Sequence, residues 1–353
     1  MLQEIRRVQR FGRSTLMISL PAEWVKSVGL SPGDTVNIEV LEDGTLRLAP
    51  LSMVGRRRER VLTVRVSSGS SENLLTRSIY AGYILGMDRV VIESVSGVLS
   101  EAHLKVIRGV VRLLIGSEII EHTPKKVIIQ IMIDPSKYSV TAVVGRMSNL
   151  VRFMIQHIQT SIIEEKPHLL NEVAELENEV DRLHALSARQ LLLAQANRSV
   201  SKYLGIKPTL VTEYRAVARS FEEAADSLYR ASEILVVRGS EILAKLARMS
   251  EIVKEATDTL LLIVDRVDRC LSQLDPYLIN EALNLITEYH SHIRKYNEML
   301  FKEFGLDEAY LAIREFVDRL NEASNALETV AETAFDIAIE KTGETLDISR
   351  AYL

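Results

Sequence analysis

The hydrophobic pattern of the 353-residue chain changes twice along its length. In residues 1–50, apolar side chains alternate with polar ones, as at Leu16, Ile18 and Leu20, and a second such stretch reads TVNIEVL. A period of two predicts short, half-buried β-strands. The stretch AEWVKSVGL between them predicts a short helix that ends at Gly29. Because so short a unit buries little surface, we expect it to pair with a second copy.

The next part of the chain mixes strand and helix patterns. Residues 51–60, LSMVGRRRER, form a basic linker. Residues 61–134 predict a small α/β segment whose helices end at left-handed glycines, Gly86 and Gly116. No glycine-rich phosphate loop follows any of its strands, which argues against nucleotide binding.

A helical period dominates from residue 135 onward. Proline and glycine residues divide this region into predicted helices at 135–165, 167–200, 208–238, 240–273, 276–304 and 306–341. Long helices with short connections form antiparallel bundles. The third and sixth helices share a pattern, SFEEAADSLYRA and ALETVAETAFDI, which indicates a duplicated three-helix unit.

These patterns predict a mainly α protein with an α/β N-terminal part. A small β domain (1–50), the linker (51–60) and the α/β segment (61–134) precede two tandem three-helix bundles. The bundles are expected at 135–238 and 239–341, and a C-terminal tail follows at 342–353.

Composition and charge narrow the setting. Cys270 is the single cysteine, so no disulfide forms within the chain, and a reducing compartment is indicated. No signal peptide and no apolar run of about 18 residues is visible, which predicts a cytoplasmic protein without membrane insertion. The net charge is −5, yet residues 1–60 hold ten Lys and Arg against seven acids. This asymmetry favours an anionic partner for the N-terminus.

Potential ligands four residues apart recur on four of the predicted helices. The pairs are Glu177 with Asp181, Glu222 with Asp226, Glu288 with His292, and Glu328 with Glu332. Each bundle thus offers two adjacent helices with two ligands each, which is enough to hold a divalent or trivalent cation. On a helical projection these acids lie beside the apolar stripe, so we expect them on the bundle surface.

The same pattern also fits a solvated helix face. Glu175 and Glu179 lie equally far from the stripe on the other flank, so one helix alone does not separate a site from a wet surface. Repetition on four helices is what favours a cation site. His184 and His290 lie next to the two sets and are either further ligands or ordinary packed histidines.

An enzyme is a third possibility, because carboxylate-rich bundles also build di-iron oxidases. Those sites use inward-facing ligands with Glu-x-x-His pairs. Here the one such pair, Glu165 with His168, is interrupted by Lys-Pro at a helix break. We therefore predict a protein without enzymatic activity.

At the repeated acids the chain resembles the PhoU family of phosphate-uptake regulators, over residues 135–341. ENEVD and EEAAD fit the repeated (Glu/Asp)-x-x-x-Asp motif of that family, whereas ETVAE and EYHSH in the second half depart from it. The resemblance implies metal binding at the bundle surface, with iron or zinc compatible with the ligands. It also implies signalling of phosphate status to an ABC phosphate transporter ATPase or its sensor kinase.

The first fifty residues resemble the AbrB/SpoVT swapped-hairpin domains, through Gly12-Arg13, Leu20-Pro21, the short helix ending at Gly29-Leu30, the PGD turn and the final hairpin. Such domains bind DNA as intertwined dimers, and their fusion to a PhoU-like region resembles archaeal regulators. Candidate DNA-binding residues share a positive charge at the N-terminus: Arg6, Arg7, Arg10 and Arg13. These arginines alternatively keep an exposed strand edge soluble.

Two functions remain open on the sequence. The first is a homodimeric or higher-order DNA-binding regulator of phosphate uptake whose bundles bind metal. The second is an adaptor for the transporter ATPase or the kinase, in which the N-terminal domain serves only for dimerisation.

Overall fold

A computed structural model describes residues 4–40, 44–53, 59–95, 97–134, 137–305, 307–343 and 346. The chain forms two compact units, Met1–Glu59 and Arg60–Leu353. The arginines of the predicted linker at 56–58, and most of the predicted C-terminal tail, lie outside the described residues.

In its described residues, the N-terminal unit contains two hairpins, one short α-helix and a 3-10 helix at Leu51–Met53. Strands β1 and β2 pair antiparallel, as do β3 and β4, and helix α1 ends at Gly29 in the left-handed conformation. The elements are β1 (Gln9–Phe11), β2 (Thr15–Met17), α1 (Ala22–Val28), β3 (Val36–Val40) and β4 (Leu46–Pro50). The Asp-Gly turn of the second hairpin lies partly outside the described residues.

The predicted half-burial of these strands is wrong for the single chain. Leu16 is 69% exposed and Val40 74%, and every residue of β1 and β2 is exposed. The alternation is present in the sequence, but within the described residues of this unit the two separate two-stranded sheets have no further layer that covers their apolar side chains.

The second unit begins with a four-stranded sheet in the order β5-β6-β8-β7. Strands β5 and β6 are parallel and the remaining pairs antiparallel. Its elements are β5 (Val61–Val66), α2 (Glu72–Ile84), β6 (Arg89–Ser94), α3 (Glu101–Leu113), β7 (Ser117–His122) and β8 (Lys126–Ile131). One face of the sheet forms a core with α2 and α3, and this core includes Ala185 from a later helix.

The rest of the unit is helical. Its helices are α4 (Val140–Ile163), α5 (Leu169–Ala196), α6 (Arg198–Leu204), α7 (Val211–Arg248), α8 (Ser250–Gln273), α9 (Pro276–Phe304) and α10 (Glu308–Thr342). Helices α4, α5 and α7 pack on one another, as do α8, α9 and α10, and α7 also packs along α10. One apolar core runs through both groups. The mainly α fold with tandem three-helix bundles is therefore confirmed.

The helix break predicted at Gly239 is present in the structure as a kink. Gly239 adopts the non-helical angles φ 71° and ψ −159°, so α7 consists of two helical stretches that meet at this residue, and the second ends at Arg248. Glycine adopts this backbone region without a Cβ clash, so the chain bends and resumes its helix. The predicted helix end at residue 238 thus coincides with the kink, and a further break between α7 and α8 follows at Met249.

The α/β segment is held against α5 by a buried arginine. The guanidinium of Arg189 is 1% exposed and donates hydrogen bonds to the carbonyls of Tyr83 (2.6 Å) and Met87 (3.0 Å), at the end of α2. Its Cζ lies 5.2 Å from the centroid of the Tyr83 ring. A Cβ on Gly86 would lie 2.6 Å from Leu193, so the backbone there approaches α5 closely. Among the helices of the described residues, none combines the length and apolar character that crossing a membrane requires.

Candidate metal centre

Three carboxylates meet between α5 and α7. Glu177 and Asp181 lie one turn apart on α5, and Asp226 lies on α7, with one oxygen of each within 4.8 Å of the others. Buried Val180 and Phe221 hold the two helices together beside them. In the part of the chain that the structure describes, this is the one group of three or more acidic, histidine or cysteine ligands that close together.

Glu222, the fourth predicted ligand of the first set, lies next to this group. Its side chain is 13% exposed, and Nη1 of Arg219 donates to its Oε1 at 3.0 Å. Nδ1 of His184 lies 3.7 Å from the same oxygen. The other oxygen, Oε2, is buried and has no hydrogen-bond partner. The structure thus brings all four predicted residues of the first bundle to one place.

The two flanks of α5, which the sequence did not separate, differ in the structure. Glu175 is exposed, and Glu179 pairs with Arg182 and, at 3.6 Å, with Arg146. The charge of Glu179 is thus compensated by two arginines, and Glu175 faces solvent. Glu177 and Asp181 instead face other acids, which marks their flank as the site.

Burial and mutual repulsion shift the pKa values of these groups. Burial, followed by the charges of Asp181, Asp226 and Glu233, raises the pKa of Glu177 to about 7. Burial and then Asp226 raise the pKa of Asp181 to about 6. Burial also raises the pKa of Glu222 to about 7, although Arg219 opposes the shift. A cation between these groups would replace the missing compensation.

The expectation that the ligands lie openly on the bundle surface is corrected in one respect. Glu177, Asp181, Glu222 and Asp226 are all half-buried. Helix α2 packs against α5, and Tyr80 of α2 is close enough to interact electrostatically with Asp181 and Glu222. Periodicity within the bundle carries no information about a helix from another segment, so this cover was not predictable from the pattern.

Two further charged residues, Glu233 and Arg230, lie beside the carboxylates. The hydroxyl of Tyr229 donates to Glu233 at 2.8 Å, and Nη2 of Arg230 lies 3.4 Å from Asp226. The arginine is visible in the sequence because it follows Asp226 by one helical turn. His184, weighed as a ligand or a packed histidine, is mostly buried, and burial lowers its pKa to about 4. It therefore carries a neutral imidazole at neutral pH.

The donor set suits a hard cation. Three clustered carboxylates, with a fourth that has a buried free oxygen, supply only oxygen ligands, which magnesium, calcium and manganese prefer. The neutral ring of His184 beside Glu222 adds a nitrogen that iron or zinc also accepts.

The second predicted set does not form the same arrangement. His292 lies 3.9 Å from Glu255 of α8 and 4.0 Å from Glu288, so both predicted α9 residues lie beside α8. Glu328 is half-buried and Glu332 exposed on α10. Within the described residues, these four do not make a close group of three or more ligands.

The reason is a one-residue error in the predicted correspondence. Buried positions of the first bundle recur 106 residues later, as for Val180 with Ile286 and Phe221 with Leu327. Glu222 and Asp226 then correspond to Glu328 and Glu332, as predicted.

On α9 the spacing of 106 residues gives counterparts that differ from the predicted ones. The counterparts of Glu177 and Asp181 are Leu283 and Thr287, which are not acids. One residue rotates a helix position by about 100°, so Glu288 and His292 are turned away from α10. His290, the counterpart of His184, is hydrogen-bonded to Ser324 at 2.9 Å and is a packed histidine.

The predicted DNA-binding arginines lie in the N-terminal unit and are all exposed. Arg6 pairs with Glu4, Arg10 lies on β1 opposite Leu16, and Arg13 lies in the β1–β2 turn next to Gly12. Arg7 precedes β1. Exposed guanidinium groups on a short hairpin are accessible to an anionic partner.

Comparison with known families agrees with this two-part structure. Residues 144–235 match the model of the PhoU domain, and residues 9–56 match the model described as antidote-toxin recognition MazE, bacterial antitoxin. No curated protein matches the chain.

The chain thus combines a MazE/AbrB-like N-terminal domain with a PhoU domain, which confirms the predicted combination. The PhoU match covers most of α4, all of α5 and most of α7, and it therefore includes the two helices, α5 and α7, that carry the three-carboxylate group. Its PhoU domain suggests regulation of phosphate homeostasis, and its N-terminal domain suggests DNA binding or dimerisation.

Proposed function

We propose that this protein is a transcriptional regulator of phosphate uptake whose PhoU-like bundle binds a cation and signals phosphate status to a DNA-binding N-terminal dimer. The observation that carries the proposal is the joining, in one chain, of a MazE-like domain to a PhoU domain with three clustered carboxylates. The proposed role is regulatory and contains no catalytic step.

The cation half of the proposal rests on α5 and α7. Glu177, Asp181 and Asp226 are the proposed ligands, and Glu222 is the proposed fourth. A bound cation supplies positive charge where burial and like charges otherwise favour the protonated acids. Iron or zinc is the metal that the PhoU resemblance favours.

The DNA half rests on the N-terminal unit. Its apolar side chains, such as Leu16, Ile38 and Val40, are exposed in the single chain, and a second copy would remove them from water at about 25 cal/mol per Å². A dimer would also double the number of exposed arginines on the hairpins, which strengthens phosphate binding.

A mobility-shift titration tests the DNA half. We expect the full-length protein to bind the upstream region of a phosphate-transport operon more tightly than unrelated DNA of equal length. The Arg10→Ala, Arg13→Ala double variant should bind more weakly, and its salt slope should fall by about one unit for each DNA phosphate that is no longer neutralised. Binding that is unaffected by both salt and the two substitutions would contradict the proposal.

The alternative function is an adaptor for the ATPase of an ABC phosphate transporter or for a sensor kinase, with the N-terminal unit serving only for dimerisation. The PhoU match is what favours it. Capture of the purified ATPase or kinase by wild-type protein and by the Arg10→Ala, Arg13→Ala variant separates the two functions. Equal capture together with no DNA binding by wild type supports the adaptor.

A further inference from the structure

Helix α2 of the α/β segment lies in a fixed position beside the carboxylate cluster. Arg189 binds the carbonyls at its C-terminal end, and Leu193 fills the space next to Gly86. Ala185 is buried in the core that α2 shares with the sheet. These contacts leave α2 little freedom to move relative to α5.

The residues that dock α2 share one ridge of α5 with the cluster. Asp181, Ala185, Arg189 and Leu193 follow one another at intervals of four, so their side chains lie along one face of the helix. Tyr80 precedes Tyr83 by three residues and lies on the same face of α2. The packing of Tyr83 on Arg189 therefore directs Tyr80 toward the preceding turns of α5, where Asp181 lies.

The phenol of Tyr80 remains a neutral hydrogen-bond donor there. Its side chain is half-buried, and the charges of Asp181 and Glu222 act on it. A phenol hydroxyl donates a hydrogen bond to a carboxylate oxygen.

Glu222, whose charge acts on Tyr80, carries an acceptor without a donor. Oε1 of Glu222 is bound by Arg219, but Oε2 is buried and has no hydrogen-bond partner. A buried carboxylate oxygen without a donor is costly, and a second hydrogen bond would also fix the direction of the carboxylate.

We propose that Tyr80 is a positioning residue of the cation site: its hydroxyl donates a hydrogen bond to the free oxygen of Glu222 and holds that carboxylate beside Asp181 and Asp226 when a cation is bound. The inference rests on the cation site proposed above. It makes the α/β segment a structural part of that site, because Tyr80 reaches it only while Arg189 keeps α2 against α5.

The test compares Tyr80→Phe with wild type in the full chain. The substitution keeps the ring and removes only the hydroxyl. The matched control is Tyr214→Phe, the same change at a buried position of α7 outside the cluster. Equilibrium dialysis against manganese(II), iron(II) and zinc(II), in separate experiments, measures affinity. A tyrosine ultraviolet difference spectrum on metal addition reports whether a phenol senses the bound ion.

Loss of a group that orients a ligand weakens metal affinity about 10–100-fold. We expect that loss for Tyr80→Phe, together with a smaller tyrosine difference signal, whereas Tyr214→Phe retains both the affinity and the full signal. Unchanged affinity in Tyr80→Phe, or an equal loss in Tyr214→Phe, overturns the inference and leaves the cation site standing. Absence of binding by wild type to all three metals overturns the cation site and the inference together.

Discussion

A carboxylate oxygen of Glu177 on α5 lies within 4.8 Å of one from Asp226 on α7, with a third from Asp181 inside the same distance of both. Like charges at this spacing disfavour their own ionisation unless a cation or a proton lies between them. The cluster joins two helices of the first bundle, and its three carboxylates carry the cation proposal.

The first prediction concerns the pH dependence of stability without metal. The pKa of Glu177 is about 7 in the folded protein against an ordinary 4.5, and that of Asp181 about 6 against 3.8. Raised folded-state pKa values contribute stability that is present below pH 4 and is lost as the pH rises through 6 and 7. Each group should contribute on the order of 1 kcal/mol after solvent screening.

Urea denaturation in chelator at pH 5 and pH 8 measures this effect. The Glu177→Gln, Asp181→Asn variant cannot ionise at these positions, so at pH 8 it should be more stable than wild type by about 1–2 kcal/mol. At pH 5 the difference should be smaller. A difference between the two proteins that does not change with pH is inconsistent with the raised pKa values.

The second prediction concerns the number of sites. Because Glu288 and His292 lie beside α8, the Glu288→Gln, His292→Gln variant should bind as many cations per chain as wild type. Metal analysis after gel filtration measures the stoichiometry. A loss of one cation from this variant would show that the α9 pair is a ligand set after all.

The third prediction adds a site to the second bundle. Leu283 and Thr287 occupy the positions of Glu177 and Asp181, opposite Glu332 and Glu328. Leu283→Glu with Thr287→Asp should therefore raise the stoichiometry by one cation per chain. The same two changes placed one residue later, at Asn284 and Glu288 (Asn284→Glu, Glu288→Asp), serve as the register control and should add none.

The fourth prediction concerns the arginine that docks the α/β segment. Arg189→Ala leaves the carbonyls of Tyr83 and Met87 without this donor and opens a buried space, so the free energy of unfolding should fall by about 3 kcal/mol. Arg215→Ala, an exposed position on α7, should change it by less than about 0.5 kcal/mol. Equal urea midpoints for the two variants would argue against the docking role.

The fifth prediction concerns the end of α3. Gly116 has φ +75°, and a Cβ there would lie 2.6 Å from Cβ of Ile133. Gly116→Ala should cost about 2 kcal/mol through backbone strain and this clash. Gly109→Ala, in open space within α3, should instead stabilise the protein by about 0.5–1 kcal/mol. Thermal unfolding of both variants gives the comparison.

Much of the fold follows from local patterns. The sequence correctly predicted the left-handed residues Gly29, Gly86 and Gly116, and the long helices within a few residues. The break predicted at Gly239 is present as a kink, whereas the separation of α7 from α8 at Met249 was not predicted, because no glycine or proline marks it. The packing of α7 on α10 is likewise contained in no local pattern.

The candidate site divides in the same way. The acids of the first bundle were recognisable because their spacing repeats on two helices that pack together. The counterpart on α9 was misassigned by one residue. The acids were matched by residue type alone, and only the pattern of buried residues fixes which way a helix position faces. Tyr80 was missed because its place depends on Arg189, more than 100 residues away in sequence.

The most direct test of the central claim is the metal content of three purified proteins after dialysis. The metal used is whichever of manganese(II), iron(II) and zinc(II) the wild type binds most tightly. The three proteins are wild type, the Glu177→Gln, Asp181→Asn variant, and the Glu175→Gln, Glu179→Gln variant, which removes two acids from the other flank of α5. We predict that wild type and the Glu175, Glu179 variant retain one tightly bound cation per chain and that the Glu177, Asp181 variant loses it. Equal metal content in the two double variants would contradict a cation site between α5 and α7.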